Sequence, residues 1–342
     1  MNLIILLLII FLLMIFLTSF FLTMKKRLID THCDTLMFYS HDFDGFVGGP
    51  WKVTLDKMST YDAYLGTFAM YYDLTQTQQQ RLEQAQAYRK AVEHLFSTHP
   101  VHPVRTVQDL DFMEKEGGCG VLLSIENACV FEDDDKDLQK AWDMGVRMIS
   151  LTHSKNSQYG CGNRVNVPGE GEDTGLTERG KAMIGKIEKM GMIYDVSHLS
   201  FKSFWDAVEV AQKPFIASHS NSHAVCGHGR NLTDEMFLEI VRRGGLAGIC
   251  FAPPFIADTE VVTVPQVAEH IEHFCALGGE KCICMGGDLD GTGDMLIRGI
   301  EDCSKTWSVA EELLKRNYSE QTVEDIMWNN ARNYLAKMLP EK

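Results

Sequence analysis

The chain has 342 residues, 45% hydrophobic and 23% charged. That balance suits one large globular domain or two ordinary ones, and it excludes a disordered chain or a coiled coil as an overall description. A formal net charge of −15 repels phosphate backbones and argues against nucleic acid as a partner.

The N-terminus carries the first feature. Between Met1 and Met24 no residue is charged, and only Asn2, Thr18, Ser19 and Thr23 are polar. About 20 apolar residues span a bilayer as a helix. Lys25, Lys26 and Arg27 follow the run, whereas a cleaved secretory signal carries its positive charge before it. Two readings stay open. Residues 1–24 form a single transmembrane anchor, with the domain at 25–342 facing the cytoplasm. Alternatively the start is mis-assigned, and Met24 begins a soluble cytoplasmic chain.

From Leu28 onward short apolar runs alternate with amphipathic stretches. The spacing predicts strands at Leu28–Asp34 and Gly66–Asp73, a helix at Gln76–Phe96, a strand at Gly120–Asn127 and a helix at Asp135–Met144. A strand at Val146–Ser154 leads into an irregular, Gly-rich loop, Lys155–Gly175. Helix Thr177–Met190, strand Met192–His198, helix Phe201–Gln212, strand Pro214–His219 and helix Asp234–Arg243 follow. Strand Leu246–Pro253, helix Pro265–Ala276, strand Cys282–Asp290 and helices Trp307–Arg316 and Glu320–Met338 complete the chain. Gly145, Gly191, Gly244 and Gly278 stand where helices should stop, and Thr177 and Thr233 where helices should start. Eight strands alternating with helices predict a (β/α)8 TIM barrel. The rival, a doubly wound open sheet, needs a Gly-rich phosphate loop after an early strand, and none is present. The 10 cysteines contain no C-x-x-C pair and read as reduced, mostly structural thiols.

The predicted strand ends carry the chemistry. His32 and Asp34 end the first strand, Glu126 the third, His153 the fourth, His198 the fifth, His219 the sixth and Asp288 the eighth. In a barrel these ends converge on the face that holds active sites. Any one of them is most simply a cap or a satisfied polar group. Seven imidazoles and carboxylates together are costly to bury unless something pairs them, and a metal does so. Cys33, between two of them, should point away and pack. Asp290 reads as a turn residue, and His223 and His228 as loop residues near the site. His41, His94, His99, His102, His270 and His273 read as surface residues.

Eight motifs in order then match a family. They are Ile-Asp-Thr-His-Cys-Asp, Ser-Ile-Glu-Asn, Leu-Thr-His-Ser, Leu-Thr-Glu-Arg-Gly, Asp-Val-Ser-His, Ala-Ser-His-Ser, Gly-Arg-Asn-Leu-Thr-Asp and Gly-Gly-Asp-Leu-Asp-Gly. Across about Leu28 to Leu339 the chain resembles the renal/membrane dipeptidases, peptidase family M19, among the metal-dependent, amidohydrolase-like barrels. The resemblance implies two Zn²⁺ ions bridged by Glu126, one held by His32 and Asp34 and the other by His198 and His219. It implies a metal-bridging hydroxide as nucleophile, with His153 stabilising the oxyanion and Asp288 moving the proton. Arg230 would take the carboxylate of a small dipeptide, and a homodimer is implied. The chain departs from the family at Cys250, where an Asn is usual, and in lacking a hydrophobic C-terminal tail, so a GPI anchor is not expected. Two other functions use the same residues: an amidohydrolase of N-acyl amino acids or lactam-like amides, and a membrane-tethered binding protein on a retired barrel.

Overall fold

The computed structural model describes residues 24–164 and 171–341. The apolar run proposed as an anchor lies outside them, apart from Met24. Among the described residues no helix is long and apolar enough to cross a membrane.

The strands are β1 (Arg27–Cys33), β2 (Ala63–Tyr71), β3 (Val101–Pro103), β4 (Gly118–Glu126), β5 (Val146–Ser150), β6 (Ile193–Asp195), β7 (Ile216–Ala217), β8 (Leu246–Ile249) and β9 (Ile283–Met285). All pairs are parallel. β1 pairs with β2 on one side and β9 on the other, and β2 pairs with β4, so eight strands close a barrel. β3 is an addition. It pairs with Cys119–Val121 at the lower half of β4, below the stretch Leu123–Ile125 that pairs with β5.

The predicted (β/α)8 barrel is therefore the fold, and each of the eight apolar runs supplies one barrel strand. Several runs overshoot. β6, β7 and β9 end before His198, His219 and Asp288, because the chain turns there into loops. β3 and the helix Val107–Glu116 were not predicted. Three residues are too few to show a period, and that helix buries only Leu110 and Met113. The helix stops behave as expected: Gly145, Gly191 and Gly244 take left-handed C-caps, and the Thr177 and Thr233 hydroxyls accept N–H bonds at their helix starts.

Burial explains the closure. Each barrel strand sends at least one residue into a single inner cluster, among them Ile29, Leu65, Leu122, Met148, Ile193, Ile216, Leu246 and Cys284. Parallel strands covered on both faces need this near-continuous apolar character. The chain's last helical segment seals the cluster with Trp328, Ala331, Tyr334 and Leu335. That segment is not the single helix Glu320–Met338 that the sequence predicts. A π-helical turn at Asp325–Asn329 separates Glu320–Glu324 from Asn330–Met338. Asp325 there accepts from Lys281, Gln321 and Asn329. The floor is therefore apolar, and polar groups can collect at the opposite mouth.

Trp328 is the largest side chain in this floor. Trp328→Ala should lose about 3–5 kcal/mol of unfolding free energy in urea, typical of a large core truncation. Trp328→Phe should lose less, since the indole N–H is buried without a partner. Wild-type stability in the Ala variant would show that the ring does not seal the floor.

Candidate metal centre

Local structure brings the polar side chains to the mouth. β1 has a register shift between Asp30 and Cys33. There the Asp30 carboxylate accepts the backbone N–H of His32 at 3.2 Å and of Gly287 at 2.7 Å, tying β1 to the turn after β9. Burial pushes the Asp30 carboxyl up to about 6, against the pull of those two N–H groups. Asp34 follows β1, and Glu126 is the last residue of β4. His153, His198, His219 and Asp288 stand in the turns after β5, β6, β7 and β9. Among the described non-glycine residues with positive φ, Asn127, His198, Asp288 and Asp290 all lie at this mouth, and only Asn317 lies elsewhere. Such backbone costs on the order of 1–3 kcal/mol per residue and persists where surrounding structure imposes it.

Glu126 is at the centre. Its Oε2 lies 3.7 Å from His32 Nε2, while Oε1 lies 3.0 Å from His198 Nε2, 3.6 Å from His219 Nε2 and 4.0 Å from His153 Nε2. His32 Nε2 is also 3.7 Å from Asp34 Oδ2 and 3.9 Å from Asp288 Oδ1. The His32 and His219 rings stack with centroids 3.8 Å apart, and the Nε2 atoms of His198 and His219 approach to 2.9 Å.

These groups are under electrostatic stress. Burial raises Glu126 well above the usual carboxylate range, and Asp34 and Asp288 add to it. Asp288 is pushed up to about 7, first by burial and then by Asp34. Burial opposes charge on His32, but Glu126, Asp34 and Asp288 overcome it and raise the imidazole to about 10. Burial, then Arg230, holds His198 well below its ordinary value and His153 at about 4. His219 is held low by burial and by His32. The result is three neutral imidazoles, His153, His198 and His219, beside a His32 that holds a proton only because the carboxylates crowd it. His32 Nε2, Asp34 Oδ1 and His198 Nδ1 are buried without hydrogen-bond partners.

A cation resolves both problems. Three overlapping groups have donor atoms within 4.8 Å of one another: His32, Glu126 and His219; Glu126, His153 and His198; and His32, Asp34 and Asp288. Imidazole nitrogen with carboxylate oxygen is a Zn²⁺ donor set. The supporting shell suits it. Ser218 Oγ donates to Asp195 Oδ2 at 2.5 Å, so the same oxygen accepts the Nδ1 proton of His219 at 2.8 Å. Nε2 of His219 is then left with its lone pair toward Glu126, as a metal ligand requires.

All seven strand-end residues named from the sequence meet in this cluster. The groupings differ from the expected division: His219 groups with His32 and not with His198, His153 joins His198, and Asp288 joins His32 and Asp34. Arg230 is buried beside them. Its Nη1 donates to Ser220 Oγ at 2.7 Å and its Nη2 to the His219 carbonyl at 2.8 Å, while Nε has no partner. Cys33 packs into the outer core as expected. His270 does not lie at the surface: it is buried, accepting from Ser222 N at 3.0 Å and facing the Ile256 carbonyl at 2.9 Å. Asp290 does more than turn the chain. It is buried and accepts from Thr35, Lys52 and Val53, which fastens the segment after Trp51 to the mouth.

Sequence reasoning missed Asp30, Asp195, Ser218 and Gly291. Gly291 has a legible signal, the glycine that ends Gly-Gly-Asp-Leu-Asp-Gly. A Cβ there would lie 2.1 Å from Asp34 Oδ2 and 2.5 Å from Asp288 Oδ1, so any side chain would strike both carboxylates.

A closed parallel barrel with this imidazole–carboxylate cluster at its strand C-termini defines a metal-dependent hydrolase. The membrane dipeptidase family, peptidase family M19, matches residues 20–337, and the chain belongs to it. It is a metallo-dipeptidase of that family. It is 30% identical over 231 residues to a Klebsiella pneumoniae protein known as an uncharacterised product of the pqqA 5′ region, covering 65% of this chain and 83% of that one. Among solved structures, a metallopeptidase named dipeptidase AC superposes with a TM-score of 0.84 at 22% identity, over 92% of this chain and 99% of its own. A Rhodobacter sphaeroides metallopeptidase, solved with a phosphinate mimic of the dipeptide L-Ala-D-Ala, superposes at 0.83 with 21% identity and the same two coverages. PvdM of Pseudomonas aeruginosa, described as a probable dipeptidase, gives 0.78 at 18% identity, over 85% of this chain and 90% of its own.

Asp30 generates a pH prediction. Its carboxyl rises from 3.8 to about 6 on folding, so its protonated form favours the folded state. That contribution is fully present below about pH 4 and is lost as the pH rises through about 6. Metal-free protein should lose on the order of 3 kcal/mol across that window through this group. Asp30→Asn should flatten that part of the urea-unfolding profile. An unchanged slope would remove Asp30 as its source.

Proposed function

We propose that the chain hydrolyses dipeptides using two zinc ions that share Glu126. His32 and Asp34 would hold one ion, and His198 and His219 the other. The reading is supported by the way the two Glu126 oxygens face different imidazoles, Oε2 toward His32 and Oε1 toward His198 and His219. The ions, when bound, supply a hydroxide nucleophile near neutral pH and polarise the scissile carbonyl.

The protein's own groups do the rest. Asp288, with Oδ1 turned toward His32, takes the proton from the nucleophile and delivers it to the leaving amine. Burial keeps His153 neutral, so it can direct one N–H at the carbonyl oxygen as charge develops there. Its ring is set against Tyr71 with centroids 4.8 Å apart.

The observation that carries the choice of substrate is Arg230. It is a buried guanidinium, held by two neutral oxygens, and among the described residues no carboxylate forms an ion pair with it. A buried cation without a counter-ion is costly, and a substrate carboxylate supplies one. The carboxylate of a dipeptide lies one residue beyond the scissile bond, whereas that of a tripeptide lies farther out. A small dipeptide such as L-Ala-D-Ala, whose mimic the R. sphaeroides protein binds, is the first substrate to test.

The expected result is turnover of dipeptides and sparing of tripeptides. A charge-assisted hydrogen bond contributes about 1.5–3 kcal/mol, so Arg230→Ala should lower kcat/KM roughly 10- to 150-fold. Arg230→Lys should recover only part of the loss, because the ammonium lacks the planar fork. A dipeptide amide, lacking the carboxylate, should be a poor substrate that Arg230→Ala barely worsens. Equal losses on acid and amide would make Arg230 structural and leave the dipeptide reading without its support.

A further inference from the structure

One side chain touches the proposed proton carrier without belonging to any metal-capable group. Cys250 follows β8 and is fully buried. Its thiol donates to Asp288 Oδ2 at 3.6 Å, within the longer reach of a sulfur hydrogen bond. Its backbone is clamped from both sides by Asn221, whose Oδ1 accepts the Cys250 N–H at 3.0 Å and whose Nδ2 donates to the Cys250 carbonyl at 3.0 Å. The Ala252 N–H points at the sulfur at 3.5 Å, which fixes the thiol's second face. Burial raises the thiol well above its ordinary value, so the sulfur keeps its proton and acts as a donor.

Asp288 needs such a partner. Its backbone N–H donates to the His32 carbonyl at 3.0 Å, which fixes its Cα. The carboxylate can rotate about its terminal torsion, which is broad for aspartate. With Oδ2 held by sulfur, Oδ1 is the oxygen presented to His32 and the metal cluster.

We propose that Cys250 is a positioning residue for Asp288: its S–H holds one carboxylate oxygen so that the other faces the reacting atoms. The proposal rests on the reading of Asp288 as the proton carrier. Cys250 itself touches neither substrate nor metal in this scheme. It acts on the chemical step and not on substrate capture.

The test is a double-mutant cycle on the zinc-loaded, full-length enzyme with a dipeptide substrate. Cys250→Ala should lower kcat roughly 2- to 12-fold, the range for an ordinary hydrogen bond, because a thiol is a weak donor even to a carboxylate, with KM within about twofold of wild type. Metal content should be unchanged. Cys250→Ser, which keeps a donor, should recover most of kcat, whereas Cys250→Val, which fills the space without donating, should resemble the Ala variant. In an Asp288→Asn background Cys250→Ala should cost nothing further. Full additivity in that background, a loss confined to KM, or wild-type kcat in Cys250→Val would overturn the Cys250 assignment alone. Wild-type turnover in Asp288→Asn by itself would instead overturn the proton-carrier reading beneath it.

Discussion

Asp34, Glu126 and Asp288 share the reach of one imidazole in a buried mouth, and this concentration of negative charge constrains the rest of the structure. Glu126 and Asp288 are both raised by burial before their neighbours act on them. Protons alone would satisfy them only by protonating His32 and the carboxylates themselves. Divalent cations satisfy them while leaving His198 and His219 neutral, the form in which imidazole binds metal. The cluster therefore suits a bound metal better than it suits protons alone.

The barrel makes this arrangement affordable by separating functions along its axis. Ile29, Leu65, Leu122 and their counterparts fill the lower interior, and Trp328 and Tyr334 close it from below. Above them the strands end early, and the turns that follow hold His198 and Asp288 with positive φ. Strained backbone at the mouth is supported by a floor that contributes stability without chemistry. Surrounding groups then support several of the candidate ligands. Asp30 holds the backbone of His32, the Asp195–Ser218 pair sets the tautomer of His219, and Gly291 leaves room for two carboxylates to meet.

Much of this was legible in the sequence, for identifiable reasons. Apolar runs of strand length, separated by helices with Thr starts and Gly stops, specify a barrel without reference to long-range contacts. The candidate ligands were legible because each is a costly residue at a strand end. What escaped were features whose meaning depends on a distant partner. Asp30 looks like any strand acid until Gly287 is brought to it from the last strand. His270 has helical spacing and a surface look, yet it is buried against Ser222 and Ile256 from other segments. The π-helical turn at Asp325–Asn329 is invisible to a period count, since the residues around it still read as one helix. β3 is too short to carry a pattern.

The central claim is that Glu126 is shared between two ions, and metal stoichiometry tests it most directly. Wild type and Glu126→Gln should each be saturated with zinc, freed of unbound metal and assayed by elemental analysis, with circular dichroism confirming the fold. The account predicts about two ions per chain in wild type, as in other two-metal hydrolase sites, and loss of at least one in a folded Glu126→Gln variant. Retention of both ions by the folded variant would contradict it.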